Sequence, residues 1–269
     1  MTTAPPLVDT HVHLFTTDLP VAAGAWTRPS TGLSAERYVA MLDAHGVAYG
    51  VVAAASLFGD HSDYTLEALR RYPRLRGTVI VDPGTDPGRL AELKAAGVVG
   101  VRLQWRRAAT LPDLTAPEYR RFLRRVADLG WHVHLNIEGP RLPPVADALL
   151  ASGVRLVFDH FGGPDPERGV DGPGFRAVRA ALAGGRAWVK LSAGYRLRVP
   201  PETLAAYAGA LLDSGGPERV FWGSDAPFVG AEGTVTFQDT IDAFALWVPD
   251  PTTRHRMSLA ARAFYFDPA

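Results

Sequence analysis

Short apolar runs alternate along the chain with longer segments whose apolar residues recur every three or four positions. The short runs are LVDTHVHL (7–14), VAYGVVAAA (47–55), LRGTVIVD (75–82), VVGVRLQ (98–104), WHVHLNI (131–137), VRLVFDH (154–160), AWVKLS (187–192) and RVFWGSD (219–225). Most are apolar on both faces, as parallel strands covered by helices should be. Between them stand amphipathic stretches such as AERYVAMLDAHG, DYTLEALRRY, RLAELKAAG, APEYRRFLRRVADLG and PETLAAYAGALLDSG. Several end in Gly, a helix stop. The third strand and the helices after strands six and eight carry the weakest pattern. Strand then helix, eight times over, predicts an α/β fold, a (β/α)8 TIM barrel. No composition shift or Ser/Gly-rich linker divides the chain, so residues 1–269 are expected to form a single domain.

Composition narrows the function classes. Of 269 residues, 47% are hydrophobic and 21% charged, a globular profile. Lys+Arg and Asp+Glu are both 28, so the formal net charge is zero, and no basic excess points to nucleic acid or a membrane surface. No apolar run is long enough to span a bilayer. The opening MTTAPPLVD does not match a signal peptide, and a cytoplasmic location is expected. With no cysteine, thiol nucleophiles and thiolate metal ligands are excluded.

In a TIM barrel, catalytic groups lie at the C-terminal ends of the strands. Strand one ends with His11 and His13, two apart and so on one face. Imidazole there can bind a metal, polarise a carbonyl or move a proton. Alone, H-x-H is a weak signal. Strand four presents Arg102 and Gln104 on one face, then Arg106 and Arg107, of which one is expected in the site; a guanidinium fork suits a carboxylate. Strand five alternates His132, His134 and Asn136, with Glu138 beyond. At strand six, Asp159 and His160 should point to opposite sides, His160 into the lumen and Asp159 towards a loop or neighbouring strand. Strand seven places Lys190 and Ser192 on one face, followed by Tyr195 and Arg196; a lysine in an apolar strand is costly unless paired or functional. Asp225 closes strand eight. Strand eight adjoins strand one, so His11, His13, His160 and Asp225 are expected to converge. Trp26 and Trp105 stand near loops, where they could stack on a flat ring or equally serve as ordinary lid packing.

The stretches VDTHVHLF, GVRLQ, VFDHFGGP, WVKLSAGYR and VFWGSDAPF resemble the amidohydrolase superfamily. They are most similar to its branch of 2-pyrone-4,6-dicarboxylate lactonase and related sugar-lactone and muconolactone hydrolases. The resemblance spans nearly the whole chain. It implies Asp225 as general base, with His11, His13 and His160 as catalytic partners; Lys190, singled out by its place in strand seven, is expected to assist the oxyanion or His160. It further implies that Arg102, Arg106 or Arg107, Ser56 and Arg196 bind substrate; Asn136 and Tyr195, by their places at the ends of strands five and seven, are expected to join them. Three positions depart from the dicarboxylate lactonase pattern: Gly163 replaces an arginine, Phe228 a frequent histidine, and Asn136 a tyrosine. The lost arginine suggests a substrate with fewer carboxylates or a different anionic group.

The expected reaction is hydrolysis of a cyclic ester of a small carboxylated substrate. A two-metal site is not expected, since Arg102 and Gln104 cannot bridge metals and Arg102 would repel a nearby cation. A metal-free site is favoured. The alternative is one zinc or similar ion on His11, His13 and Asp225, with His134 or His160 in support, serving an amidohydrolase or decarboxylase. A non-catalytic barrel that binds a small acid is the remaining reading. Substrate and oligomeric state are not encoded in any motif.

Overall fold

A computed structural model describes residues 4–267. Residues 1–3, part of the stretch considered above for targeting, and 268–269 lie outside the described residues. Eight strands form one parallel sheet in chain order: β1 (Val8–Val12), β2 (Tyr49–Val52), β3 (Leu75–Val79), β4 (Val98–Gln104), β5 (His132–Asn136), β6 (Arg155–Phe158), β7 (Ala187–Leu191) and β8 (Val220–Trp222). All eight expected strands are present, and most are shorter than their apolar runs. The helices are α1 (Ala35–Ala44), α2 (Asp63–Arg71), α3 (Pro87–Ala95), α4 (Pro117–Asp128), α5 (Leu142–Ala151), α6 (Pro173–Ala183), α7 (Pro201–Gly215), α8 (Phe237–Trp247) and α9 (Pro251–Phe266). None among the described residues is long and apolar enough to cross a membrane.

Local sequence sets these elements. A proline opens the first turn of α3, α4, α5, α6, α7 and α9, where its missing N–H costs no hydrogen bond. Asp86 and Asp250 cap α3 and α9, and Thr236 with Asp239 forms a capping box on α8. In α4 the buried Phe122, Leu123 and Val126 face the sheet, and arginines cover the other side. The weak patterns after strands six and eight correspond to α6, preceded by a long loop, and to two helices, α8 and α9.

The sheet becomes a barrel where β8 meets β1, and side chains do much of the joining. Asp9, wholly buried, accepts from the His11 N–H (3.1 Å), the Ser224 N–H (2.8 Å), the Ser224 hydroxyl (2.7 Å) and the Tyr38 hydroxyl (3.1 Å). The Thr10 hydroxyl donates to the Trp222 carbonyl (2.7 Å), and Lys190 Nζ donates to the Thr10 carbonyl (2.6 Å). Above them the Asp225 N–H donates to the His11 carbonyl, and the His13 N–H to the Ala226 carbonyl, each at 2.8 Å. Gly223 permits this approach: a Cβ there would lie 2.6 Å from the His11 Cβ.

Burial pushes the Asp9 carboxyl up to about 6 against those four donors. Replacing Asp9 with alanine would strand two buried backbone N–H groups at about 1–3 kcal/mol each. Asp9→Ala is therefore expected to lower unfolding free energy by about 3 kcal/mol or more. A urea titration checks this: the midpoint should drop at unchanged slope. A wild-type midpoint would remove the clasp from the account of stability.

Candidate active site

The barrel mouth holds a cavity of about 420 Å³, with His13, His160 and Asp225 on its floor. The chain leaves β6, β7 and β8 through residues in the left-handed region: His160 (φ 46°), Phe161 (φ 58°), Ala193 (φ 52°) and Asp225 (φ 65°). Such backbone is costly for non-glycine residues and concentrates at functional sites. Here it ends the regular strand alternation at the barrel mouth, beside the cavity.

Two carboxylates organise the floor. The first, Asp225, is 1% exposed. Its Oδ1 lies 3.5 Å from His11 Nε2, 3.5 Å from His13 Nε2 and 4.0 Å from His160 Nε2. Its Oδ2 accepts from the Tyr195 hydroxyl (2.6 Å) and Arg196 Nε (2.8 Å). Burial alone would raise this carboxyl, but Arg196, His13, His160 and His11 outweigh it and hold Asp225 well below the usual carboxylate range. Beside Asp225, Tyr195 is raised by burial and by the carboxylate, so its hydroxyl keeps its proton.

The second carboxylate, Asp159, lies deeper. His134 Nε2 donates to Oδ1, His11 Nδ1 stands 3.1 Å from the same oxygen at an oblique angle, and Arg102 donates to Oδ2 at 2.8 Å. These partners more than offset its burial and keep it ionised. Strand alternation sends Asp159 away from the lumen, but β6 ends at Phe158. Beyond it the left-handed turn at His160 removes the alternation, so both residues face the centre. Arg102 also donates to the Ala54 carbonyl (2.6 Å), so its charge is committed to the wall while its edge reaches the cavity.

The remaining residues divide between rim and interior. Arg106 and Arg107 both line the cavity, as do Ser56, Asn136, Tyr195 and Arg196. Arg107 stacks over Trp26 (4.2 Å), and burial followed by the charges of Arg106 and Arg196 lowers its affinity for its proton. Arg198, not singled out in the sequence, also lines the cavity and has φ 53°. Among the described residues no carboxylate lies within 4.0 Å of the Arg106, Arg107 or Arg198 guanidinium, whereas Arg102 and Arg196 are paired. Trp105 instead packs against the core. Lys190 is wholly buried, with Nζ on the Thr10 carbonyl and over the Tyr265 ring (5.7 Å), so it lies outside the cavity. Gly163 (φ 61°) cannot carry a side chain without rebuilding, because a Cβ would lie 2.9 Å from the Ile137 carbonyl oxygen.

Among the described residues two groups could hold a cation: His11, His13 and Asp225, or His11, His134 and Asp159. In the second, Arg102 already supplies positive charge to Asp159. In the first, His13 Nδ1 donates to the Ala53 carbonyl (2.8 Å), so the neutral form of the ring offers Nε2 as an acceptor. His11 Nε2 is 3.3 Å from it. Burial drives His11 well below the usual imidazole range despite Asp159, so its ring carries one proton for acceptors on both sides. Two nitrogens and one carboxylate oxygen thus converge with at most one proton among them. Ligands of a tetrahedral ion at about 2.0–2.1 Å stand about 3.3–3.4 Å apart, so this spacing fits. The Ala53 carbonyl also matches the usual outer partner of a metal-bound imidazole.

Known proteins share this architecture. 4-Sulfomuconolactone hydrolase of Hydrogenophaga intermedia is 30% identical over 229 residues, covering 82% of this chain and 75% of that one. 2-Pyrone-4,6-dicarboxylate hydrolase of Comamonas testosteroni is 31% identical over 235 residues, covering 82% and 76%. A crystal structure of a probable 2-pyrone-4,6-dicarboxylic acid hydrolase from Acinetobacter baumannii, with citric acid bound, superimposes with a TM-score of 0.91 at 30% identity, covering 97% of this chain and 99% of that one. With residues 8–266 also matching the amidohydrolase family along the whole barrel, the chain belongs to that family.

Proposed function

We propose that the protein hydrolyses a lactone of a small anionic acid, with Asp225 as general base. The observation that carries this reading is one carboxylate oxygen, Asp225 Oδ1, faced by three imidazole nitrogens at 3.5, 3.5 and 4.0 Å beneath a rim of unpaired arginines. The lactone hydrolases among its relatives support the same chemistry.

A substrate anion sits against Arg106, Arg107 and Arg198, which places the ring carbonyl above the floor. Asp225 takes a proton from water as the oxygen attacks the carbonyl carbon. Charge develops on the carbonyl oxygen, where the His160 N–H can meet it. The ring C–O bond then breaks, and the proton on Asp225 passes to the departing oxygen. A tethered leaving group needs little acid strength. Arg196 is shared, since Nε binds Asp225 while its side chain lines the cavity. A substrate anion that engages it draws charge from Asp225 and raises the proton affinity of the base. Ser56 and Asn136 orient the ring. Lys190, held by burial at about 7, acts through its field below the histidines instead of by contact.

His11, His13 and Asp225 fit one divalent ion, which would polarise the carbonyl and acidify bound water when present. His134 donates to Asp159 and belongs with His11 to the other candidate group.

Asp225→Asn is expected to lower kcat by about 10²–10⁴ on 2-pyrone-4,6-dicarboxylate, with the fold retained by circular dichroism. Near-normal turnover would remove Asp225 as the base. The acid limb of kcat/KM should fall at about pH 4 or below, because His160 is held at about 4 by burial and Asp225 lies lower still. A limb near pH 6.5 would mean that an ordinary imidazole controls the rate. Calorimetric titration with Zn²⁺ should give one site that His13→Ala abolishes. No binding by the wild-type protein would leave a proton as the only cation in the triangle.

A further inference from the structure

Four histidines surround the two carboxylates, and a neutral imidazole has one proton for two nitrogens. His13 gives its proton to the Ala53 carbonyl, and His134 gives its Nε2 proton to Asp159. His11 is fully buried between Asp159 on one side and His13 with Asp225 on the other. None of these three, while neutral, can turn an N–H into the cavity.

His160 differs because its inner partner is a hydroxyl. Nδ1 lies 2.8 Å from Ser192 Oγ. A carbonyl there would only accept and would force the proton onto Nδ1, as Ala53 does at His13. A hydroxyl can either donate or accept. Ser192 is 0% exposed, and its hydroxyl has no other hydrogen-bond partner among the described residues. If the ring donated, the hydroxyl proton would be buried without an acceptor, which is costly. If the hydroxyl donates, both protons of the pair find a direction, and Nε2 carries the ring N–H. Nε2 faces the cavity 4.0 Å from Asp225 Oδ1, beyond hydrogen-bonding distance, so among the described residues Ser192 is the hydrogen-bond partner that sets the ring's tautomer.

We propose that Ser192 is a positioning residue that holds His160 as the Nε2–H tautomer and so supplies the cavity with its neutral histidine donor. The same tautomer removes His160 from any metal donor set. That this N–H meets the developing oxyanion rests on the lactonase reading; the tautomer itself does not.

Multiple-bond proton–nitrogen NMR on protein labelled with ¹⁵N-histidine separates the two. The His160 signals, identified by their loss in His160→Asn, should show the Nε2–H pattern in the wild type. Ser192→Ala should shift them towards the Nδ1–H pattern, and Ser192→Thr should restore them. His13 should remain Nδ1–H throughout as an internal reference. With 2-pyrone-4,6-dicarboxylate, Ser192→Ala should lower kcat about tenfold or more at nearly unchanged KM, and Ser192→Thr should recover most of it. A general folding defect would move KM and the His13 signals as well. An Nδ1–H pattern for His160 in the wild type overturns the proposal. A changed tautomer with unchanged kcat overturns the catalytic use of the N–H. Absence of hydrolysis by the wild type defeats the lactonase reading, while the NMR pattern still decides the tautomer.

Discussion

The active site depends on one closure, that of β8 onto β1 around the Asp9 carboxylate. His11 and His13 belong to the start of the chain and Asp225 to the turn after its last barrel strand, more than 200 residues later. They meet because Asp9 takes both the backbone and the hydroxyl of Ser224, which places Asp225 beside His11. Gly223 lets the two strands touch without a side chain between them. The clasp and the pairing of His11 with Asp225 are thus one piece of structure, one pleat apart.

Above that closure, charge is arranged in two layers. Asp159 binds Arg102 and His134 and takes no part in the cavity surface. It anchors the lower layer and presents the edge of His11 upward. Asp225 forms the upper layer with one oxygen restrained by Tyr195 and Arg196 and the other left to the histidines. This division gives a carboxylate that is ionised and oriented yet keeps one oxygen for chemistry.

Much of this was legible in the sequence because parallel strands are apolar on both faces and their C-terminal ends are short and polar. His11, His13, His160 and Asp225 stood out on that ground. Asp159 did not, because period-two alternation predicts the wrong side for it, and nothing local signals that the left-handed turn begins at His160. Asp9 was hidden inside an apolar run, and its importance comes from Ser224, a partner 215 residues away. Arg198 lay two residues past the motif that marked Arg196, and its inward path follows from a backbone angle that composition does not encode. Lys190 was conspicuous as a charge within a strand, but only the pairing with the Thr10 carbonyl reveals that it serves the seam.

The arginine rim has a consequence for how molecules arrive. The chain has a formal net charge of zero, so a distant anion feels no overall pull. The unpaired arginines set a positive potential at the mouth that, at physiological ionic strength, fades over a Debye length of about 8 Å. Capture is therefore ordinary diffusion until the last approach, when the field gathers and orients anions at the opening. Neutral cyclic esters receive no such guidance, so selection between the two begins in the solvent, before any ring reaches the floor.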